Sequence, residues 1–446
     1  MESIELSGMI SYKEEELAFT YKDSRLIIMG EEFFGDEISE NITFEAYSFS
    51  GQVIYFYGCN RLRYFGSIVY EVDYVVVSNG SNNHDIFDSI KITGGLLNLL
   101  HEPFENTFDH FDSSLIDKHK QGCYEFKTKK WEESDIVFDS IINKMKVNVI
   151  IGVPRKMPIN KRNVNSTHSY IKVKFEQNID TKDFKYYYLH IVSFLEVIAQ
   201  KTGMFSNKVE LANKNNHYFN KKVYFSEDKT RKITNVRVNF RDYMNEGSIK
   251  DLEKIFKNCG NESISHKYLL GTQEGSELIT PFSMFSCLLS FEYLFAAEHA
   301  VKKMEKNDTI EKVKKIIADE RKKNDSYLLE KAAVALKHVY KQTLNNKITA
   351  IIKNNKLLRD YLYTKYGLDD EGLKIRIKNL VDFRNKFAHG SDAIPAFEGA
   401  IDAHDILMDI NSYLLLKKYH VTEEIMIKML TKKRSRNNRG TYIFLD

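Results

Sequence analysis

The chain has 446 residues, with 65 Lys and Arg against 62 Asp and Glu, so its formal net charge at pH 7 is only +3. This balance excludes a uniformly basic protein, and the 43% of hydrophobic residues excludes a chain that is disordered throughout. At about 150 residues per domain, the length predicts two or three domains.

The cysteines and the N-terminal residues predict a cytoplasmic protein. Cys59, Cys123, Cys259 and Cys287 lie far apart without a CxxC pair, which argues against a zinc ribbon or a disulfide framework. Residues 1–16 lack the basic and apolar stretches of an export signal, and no window reaches the ~18 uncharged apolar residues of a membrane span. We expect no membrane partner, no cofactor and no metal site.

The first half of the chain has the pattern of antiparallel sheet. Short runs of β-branched and aromatic residues alternate with Gly, Asn, Asp and Ser. They predict strands over Glu16–Tyr21, Arg25–Met29, Ile42–Phe49, Gln52–Tyr57 and Ile68–Val77, with a hairpin turn at Ser50–Gly51. Apolar and polar residues alternate over 171–176 and 236–240, which is typical of sheets with one solvated face. A sandwich or a barrel-like domain is expected.

Helical periodicity interrupts this pattern once and then dominates the second half. One long helix is predicted over 181–202, packed on a sheet, and a short one over 248–258. From Pro281 onward helices are predicted over 281–304, 309–322, 326–354, 356–365, 370–389, 396–419 and 422–432. The expected fold class is α+β with two domains. A β-rich domain spans 1–247, a connector 248–280 and an all-α domain 281–446.

The stretch from Leu373 to Gly390 carries the residues with the strongest chemical pattern. At about 100° per residue, one apolar stripe contains Leu373, Ile377, Leu380, Phe387 and Ala388. Arg384 projects into this stripe, roughly 20° from the direction of Leu373. Because burying an unpaired charge is very costly, we expect Arg384 to be paired or to face a cleft.

Asn385 and His389 extend this pattern toward the end of the helix. Their i, i+4 spacing makes them neighbours along one edge. Gly390 predicts a C-terminal cap, which places the imidazole at the negative end of the helix and favours its protonated form. Arg384, Asn385 and His389 thus combine a fixed cation, an amide and a group that transfers protons near neutral pH.

The first predicted helix of the all-α domain supplies a carboxylate. Phe285, Leu289 and Ala296 define an apolar stripe in which Glu292 is placed. A carboxylate in such a stripe requires a cation, and Arg384 is the economical partner. Glu292 then either supports catalysis by orienting Arg384 or is only a structural salt-bridge partner.

These groups fit the cleavage of RNA without a metal. The reaction removes a proton from the 2′-hydroxyl, stabilises charge on the phosphorus centre and protonates the leaving 5′-oxygen. Histidine can transfer the protons and arginine can hold the phosphate. Because one histidine is too few for two proton transfers, we expect a symmetric homodimer through the helical domain.

The run from Arg384 to His389 resembles the Arg-x4-to-6-His motif of the HEPN superfamily, and Glu292 resembles the acidic residue often found in that family's first helix. The resemblance covers about 281–420 and implies a HEPN-like helical bundle. A β-rich half followed by such a domain is similar in layout to the ApeA type of bacterial anti-phage proteins. That likeness implies a ribonuclease that cuts RNA, plausibly tRNA, in abortive infection after a phage-encoded trigger.

Other interpretations of the same residues stay open. Arg384 can simply bridge two helices, in a helix that happens to end in His-Gly. The basic residues Lys386, Lys432, Lys433, Arg434 and Arg436 can contact RNA phosphates, or the C-terminal ones can form a solvated tail. The alternative function is a binding module, in which the helical domain dimerises or holds a nucleotide and the β-rich half senses a phage protein.

Overall fold

The computed structural model divides into two compact units, Met1–Ser263 and Ile264–Asp446. The described strands belong to the first unit, and the second unit is helical, so the protein is α+β. The structure describes residues 4–30, 41–62, 68–79, 85–102, 135–154, 168–199, 208–213, 216–225, 240, 246–260, 281–298, 308–323, 343–388 and 400–432.

The described part of the first unit contains thirteen strands, all paired antiparallel. They are β1 Leu6–Tyr12, β2 Glu15–Lys22, β3 Arg25–Ile28, β4 Ile42–Ser48, β5 Val53–Leu62, β6 Ile68–Glu71, β7 Tyr74–Ser78, β8 Ile86–Thr93, β9 Ile136–Ile142, β10 Met145–Gly152, β11 Tyr170–Asp180, β12 Lys208–Asn213 and β13 Asn216–Phe225. The helices described in this unit are α1 Leu96–Leu100, α2 Phe184–Ala199 and α3 Glu246–Cys259.

Six of these strands close into a barrel. Their order is β4-β1-β2-β3-β6-β5, and β5 pairs back onto β4. The side chains of one face fill the interior, and Phe19 packs edge-to-face on Phe56 with ring centroids 5.4 Å apart. The core includes Ile10, Tyr21, Leu26, Ile28, Phe44, Ile54, Ile68 and Tyr70. The expectation of a barrel-like antiparallel domain is therefore confirmed.

Tight hairpins set the register of this sheet. Three two-residue turns have positive φ at both central residues, the type I′ geometry whose twist matches the flanking strands. They are Lys13 (51°) with Glu14 (69°), Asp23 (48°) with Ser24 (69°), and Asn143 (47°) with Lys144 (68°). The predicted turn at Ser50–Gly51 is also present, with Gly51 at φ 82°. The Ser48 N–H donates to the Gln52 carbonyl across this turn.

The run Ile68–Val77, predicted as one strand, forms two. Both β6 and β7 keep a single register with β5, from Leu62 opposite Val69 to Val53 opposite Ser78. The run divides because β6 also pairs with β3 in the barrel, whereas β7 pairs with β13. This choice of second partner is a long-range property that local periodicity does not contain.

Beyond β7 the strands continue as an open sheet in the order β7-β13-β12-β8-β11-β10-β9. In β11, Ile171, Val173 and Phe175 are buried and alternate with more exposed residues, as predicted. The predicted Val236–Asn239 alternation lies outside the described residues. The long helix predicted over 181–202 is α2, which follows a 3₁₀ turn at Thr181–Asp183. The Asp180 side chain caps that turn by accepting from the Lys182 N–H.

Helix α3 is part of the first unit. It contacts β9 and α2, and His190 Nε2 donates to the Phe256 carbonyl at 2.6 Å. The expected boundary at residue 247 and the connector over 248–280 therefore differ from the structure, which groups this helix with the preceding strands. The apolar face of α3, with Leu252, Ile255 and Phe256, requires burial against a neighbour.

The described helices of the second unit follow the predicted order. They are α4 Pro281–Glu298, α5 Asp308–Lys323, α6 Leu344–Asn354, α7 Lys356–Tyr366, α8 Asp370–Ala388, α9 Ala400–Lys418 and α10 Glu423–Lys432. The predicted start of α6 at residue 326 is wrong. Thr343 has extended backbone angles, and its side chain accepts from the Asn346 N–H at 3.2 Å, so the helix begins at Leu344.

Helix α9 is central to the second unit. Every residue from Ile406 to Leu416 is buried, and the helix contacts α4, α7, α8 and α10. A helix that is buried all round needs partners on each face for its polar side chains. Among the described helices, none is long and apolar enough to cross a membrane.

The His190 contact predicts a pH dependence of the first unit. Burial lowers the pKa of His190 to about 4, from an ordinary value of 6.5, although the Phe256 carbonyl acts in the opposite sense. Between pH 6.5 and 4 this histidine binds a proton in the unfolded chain but not in the folded protein, so stability is lost as the pH falls. We expect the free energy of unfolding to decrease by about 3 kcal/mol across this pH range.

This expectation is checked by urea unfolding of the full chain at several pH values. His190→Gln keeps a donor for the Phe256 carbonyl. It should reduce the dependence of the unfolding free energy on pH between 6.5 and 4. His168→Gln, a change at the exposed His168, should leave the slope unchanged. Equal slopes in wild type and His190→Gln would contradict the assignment.

Candidate functional site

The predicted motif helix is α8, and its buried face is well defined. Leu373, Ile377, Leu380 and Phe383 are buried, and the helix contacts α4, α6 and α9. At its start the Asp369 carboxylate accepts from the Gly372 N–H at 2.7 Å, and Asp370 and Glu371 complement the helix dipole. Three residues of the predicted stripe are confirmed. The side chains of Phe387 and Ala388 are not among those described.

The three candidate catalytic residues lie at the C-terminal end of α8 or just beyond it. Arg384 is within the helix, but its side chain is not among those described. Asn385, the next residue, is exposed. His389 lies outside the described residues, one position after the last residue of α8. The grouping of Arg384, Asn385 and His389 therefore stays a prediction.

Glu292 lies on α4 together with the predicted stripe, but that stripe is not the buried face of the helix. The expected stripe points outward, because Leu289 is 44% exposed and Ala296 is also exposed. The buried face of α4 contains Met284, Cys287, Leu288, Phe291, Leu294 and Phe295. The periodicity predicted the wrong buried face, because apolar residues lie on nearly every side of this helix.

Glu292 is partly exposed and forms no ion pair with any described side chain. It is therefore not a carboxylate enclosed in an apolar stripe. Its predicted contact with Arg384 stays a prediction, since that arginine's side chain is not described.

The basic residues proposed to contact RNA fall largely beyond the described part of the chain. Lys386 lies in α8 and Lys432 ends α10, but neither side chain is described. Lys433, Arg434 and Arg436 lie outside the described residues. The structure thus adds no geometry to these five positions.

The clearest buried polar cluster of the second unit was not predicted. Asp409 on α9 is 1% exposed, and its Oδ2 accepts from Tyr361 Oη at 2.9 Å, Tyr366 Oη at 2.8 Å and Lys365 Nζ at 2.7 Å. Tyr361 Oη is also 2.9 Å from the Leu430 carbonyl. Burial raises the pKa of both tyrosines, and the Asp409 charge raises it further. This cluster ties α7 and α10 to α9.

A signal for this cluster exists in the sequence. Asp409 interrupts the apolar run from Ile406 to Leu416, where a carboxylate requires partners inside the protein. Those partners come from α7, more than forty residues earlier, so the run alone does not identify them. The described residues contain no group of three or more His, Cys, Asp or Glu side chains arranged to hold a metal ion.

No family model, curated protein or solved structure matches the chain. The HEPN resemblance therefore rests on the residues quoted from the sequence.

The contrast between Asp409 and Glu292 gives a stability prediction. Asp409→Asn removes the charge that Lys365 faces in a buried setting and should destabilise the second unit by about 3 kcal/mol. Glu292→Gln should change stability by no more than about 0.5 kcal/mol, because this partly exposed carboxylate lacks a described partner. Urea unfolding of the full-length variants measures both. Equal effects would contradict the placement of these two residues.

Proposed function

We propose that the protein is a metal-independent endoribonuclease of the HEPN type. The observation that supports the proposal is the placement of the motif on α8. Its first residue, Arg384, directly follows the buried Phe383 in α8, a helix that contacts α4, α6 and α9. A packed helix thus carries Arg384 and Asn385.

The proposed reaction needs only groups of this chain. A base removes the proton of a 2′-hydroxyl, and the resulting oxygen attacks the adjacent phosphorus. The bond from phosphorus to the 5′-oxygen breaks, and an acid donates a proton to that oxygen. The products are a 2′,3′-cyclic phosphate and a 5′-hydroxyl.

Each motif residue has a role in this proposal. His389 transfers a proton, and Arg384 holds the phosphate through its fork of N–H donors. Asn385 donates to the substrate, a role supported by its exposure on α8. Lys386 and the basic positions Lys432, Lys433, Arg434 and Arg436 contact the RNA backbone, while Glu292 assists Arg384.

A second copy of the chain is the proposed partner in catalysis. One motif histidine per chain serves one proton transfer, and a two-fold axis supplies the other. The outward face of α4 supports a dimer through the helical unit, because Leu289 is 44% and Tyr293 52% exposed there. We assign tRNA as a plausible substrate, and anti-phage abortive infection as the biological role, from the sequence resemblance. The β-rich unit then senses the trigger.

Substitutions in the motif test the proposal. His389→Ala and Arg384→Ala should each reduce the RNA cleavage rate of the purified chain at least about 100-fold. His420→Asn is the histidine control, because His420 is exposed and asparagine tolerates its φ of 60°. Arg359→Ala, on the partly exposed surface of α7, is the arginine control. Cleavage that survives both motif substitutions would move the active site elsewhere and favour the binding module.

The dimer is tested separately from catalysis. Leu289→Glu should raise the dissociation constant of the dimer at least tenfold, equivalent to about 1.4 kcal/mol, by placing a charge on the outward face of α4. Leu357→Glu is the matched control, since Leu357 on α7 is 43% exposed. Sedimentation equilibrium measures both variants. Two variants that both associate like the wild type would contradict an interface on α4.

A further inference from the structure

A thiol, a thioether and an imidazole nitrogen lie close together in the interior between α4 and α9. Cys287 Sγ lies 3.5 Å from His404 Nε2 and 3.0 Å from Met408 Sδ. The exposed fractions of Cys287, His404 and Met408 are 0%, 1% and 1%. We call these three residues the soft-donor cluster. The proposed ribonuclease chemistry does not use it.

The local structure holds the cluster in place. His404 and Met408 are four residues apart on α9 and so face the same side of the helix. One turn further, Asn411 donates from Nδ2 to the Cys287 carbonyl at 2.8 Å, which fixes α4 at this point. Asp405 Oδ1 lies 3.4 Å from His404 Nδ1 and favours the tautomer whose Nε2 is free to bind a cation.

Cys287 Sγ is the atom that the other two donors share. As a thiol it can donate to Met408 Sδ and accept from His404 Nε2, and as a thiolate it offers lone pairs to a cation beside those of the thioether and of a neutral imidazole. The two sulfur atoms, at 3.0 Å, are closer than the about 3.5–4.0 Å of contacts between smaller carbon atoms.

A monovalent soft cation matches the chemistry of these donors. The 3.5 Å between Sγ and Nε2 is the separation expected for metal–sulfur and metal–nitrogen bonds of about 2.3 and 2.0 Å at about 110°. Thiolate and thioether ligands select Cu(I), whereas zinc sites usually have four ligands without a thioether. Met408 must withdraw slightly from Cys287, which its unbranched side chain allows.

Charge favours the same ion. One Cu(I) and one thiolate sum to zero, so a neutral imidazole and a thioether complete a complex that a buried site tolerates. A divalent ion would bring one more positive charge into an interior whose described ligands include a single thiolate.

We propose that Cys287, His404 and Met408 bind one Cu(I) ion that links α4 to α9. Binding replaces the thiol proton of Cys287 with copper, and the proton leaves to solvent. If His404 is protonated, its Nε2 proton leaves as well. Copper stays Cu(I) throughout, so no oxidant or reductant is consumed. The ion is structural and independent of the proposed RNA cleavage.

The test uses the purified full chain, kept reduced and without oxygen, with Cu(I) as the probe. Competition against the chromophoric Cu(I) chelator bicinchoninate should reveal one tight equivalent per chain. Cys287→Ser, His404→Gln and Met408→Leu should each weaken this binding at least tenfold. Cys259→Ser changes a buried thiol of the first unit, and Met426→Leu changes a buried methionine of α10, so both should bind like the wild type.

Met408→Leu is the decisive variant, because the change conserves volume and removes only the thioether. Thermal unfolding should also show that Cu(I) raises the midpoint of the second unit in wild type and not in this variant. Absence of a tight equivalent in the wild type would overturn the proposal. Unchanged binding in Met408→Leu and His404→Gln would also overturn it, because the metal would then be held by thiols alone.

Discussion

The burial of α9 on every side is the constraint on which the helical unit depends. Because this helix is covered by other helices on all sides, its polar side chains must find their hydrogen-bond partners on those neighbours. Asp409 accepts from three groups of α7, and Asn411 donates to the Cys287 carbonyl of α4. These contacts specify which helix lies against which face.

The β-rich unit depends on a different constraint, because β5 belongs both to the barrel and to the part of the sheet that continues through β7. Its first half pairs with β4 and β7, and its second half pairs with β6. Runs of β-branched and aromatic residues predicted β2 to β7, and alternation predicted β11, which has one buried face. The closure of the barrel and the division of Ile68–Val77 depend on pairings between distant strands, which local patterns do not encode.

In the helical unit, sequence periodicity predicted where the helices lie in the chain better than it predicted which face of each helix is buried. The stripe of α8 was correct at Leu373, Ile377 and Leu380, because polar residues mark its other face. The stripe of α4 was assigned to the wrong face, because Leu289 and Tyr293 make the outward side as apolar as the inward one. The partners of Asp409 and His404 were missed for a related reason. A polar residue within an apolar run predicts that a partner is needed, but the run does not identify that partner.

For the motif, the sequence supplies the chemistry and the structure supplies the packed helix that carries Arg384 and Asn385. The proposed function is a metal-free attack by the 2′-hydroxyl at the end of this helix. Mass spectrometry of RNA termini, after incubation with the purified full chain in excess EDTA, tests it most directly. We expect 2′,3′-cyclic phosphate and 5′-hydroxyl ends. Intact RNA in EDTA, with 3′-hydroxyl and 5′-phosphate ends appearing only after a divalent ion is added, would contradict it.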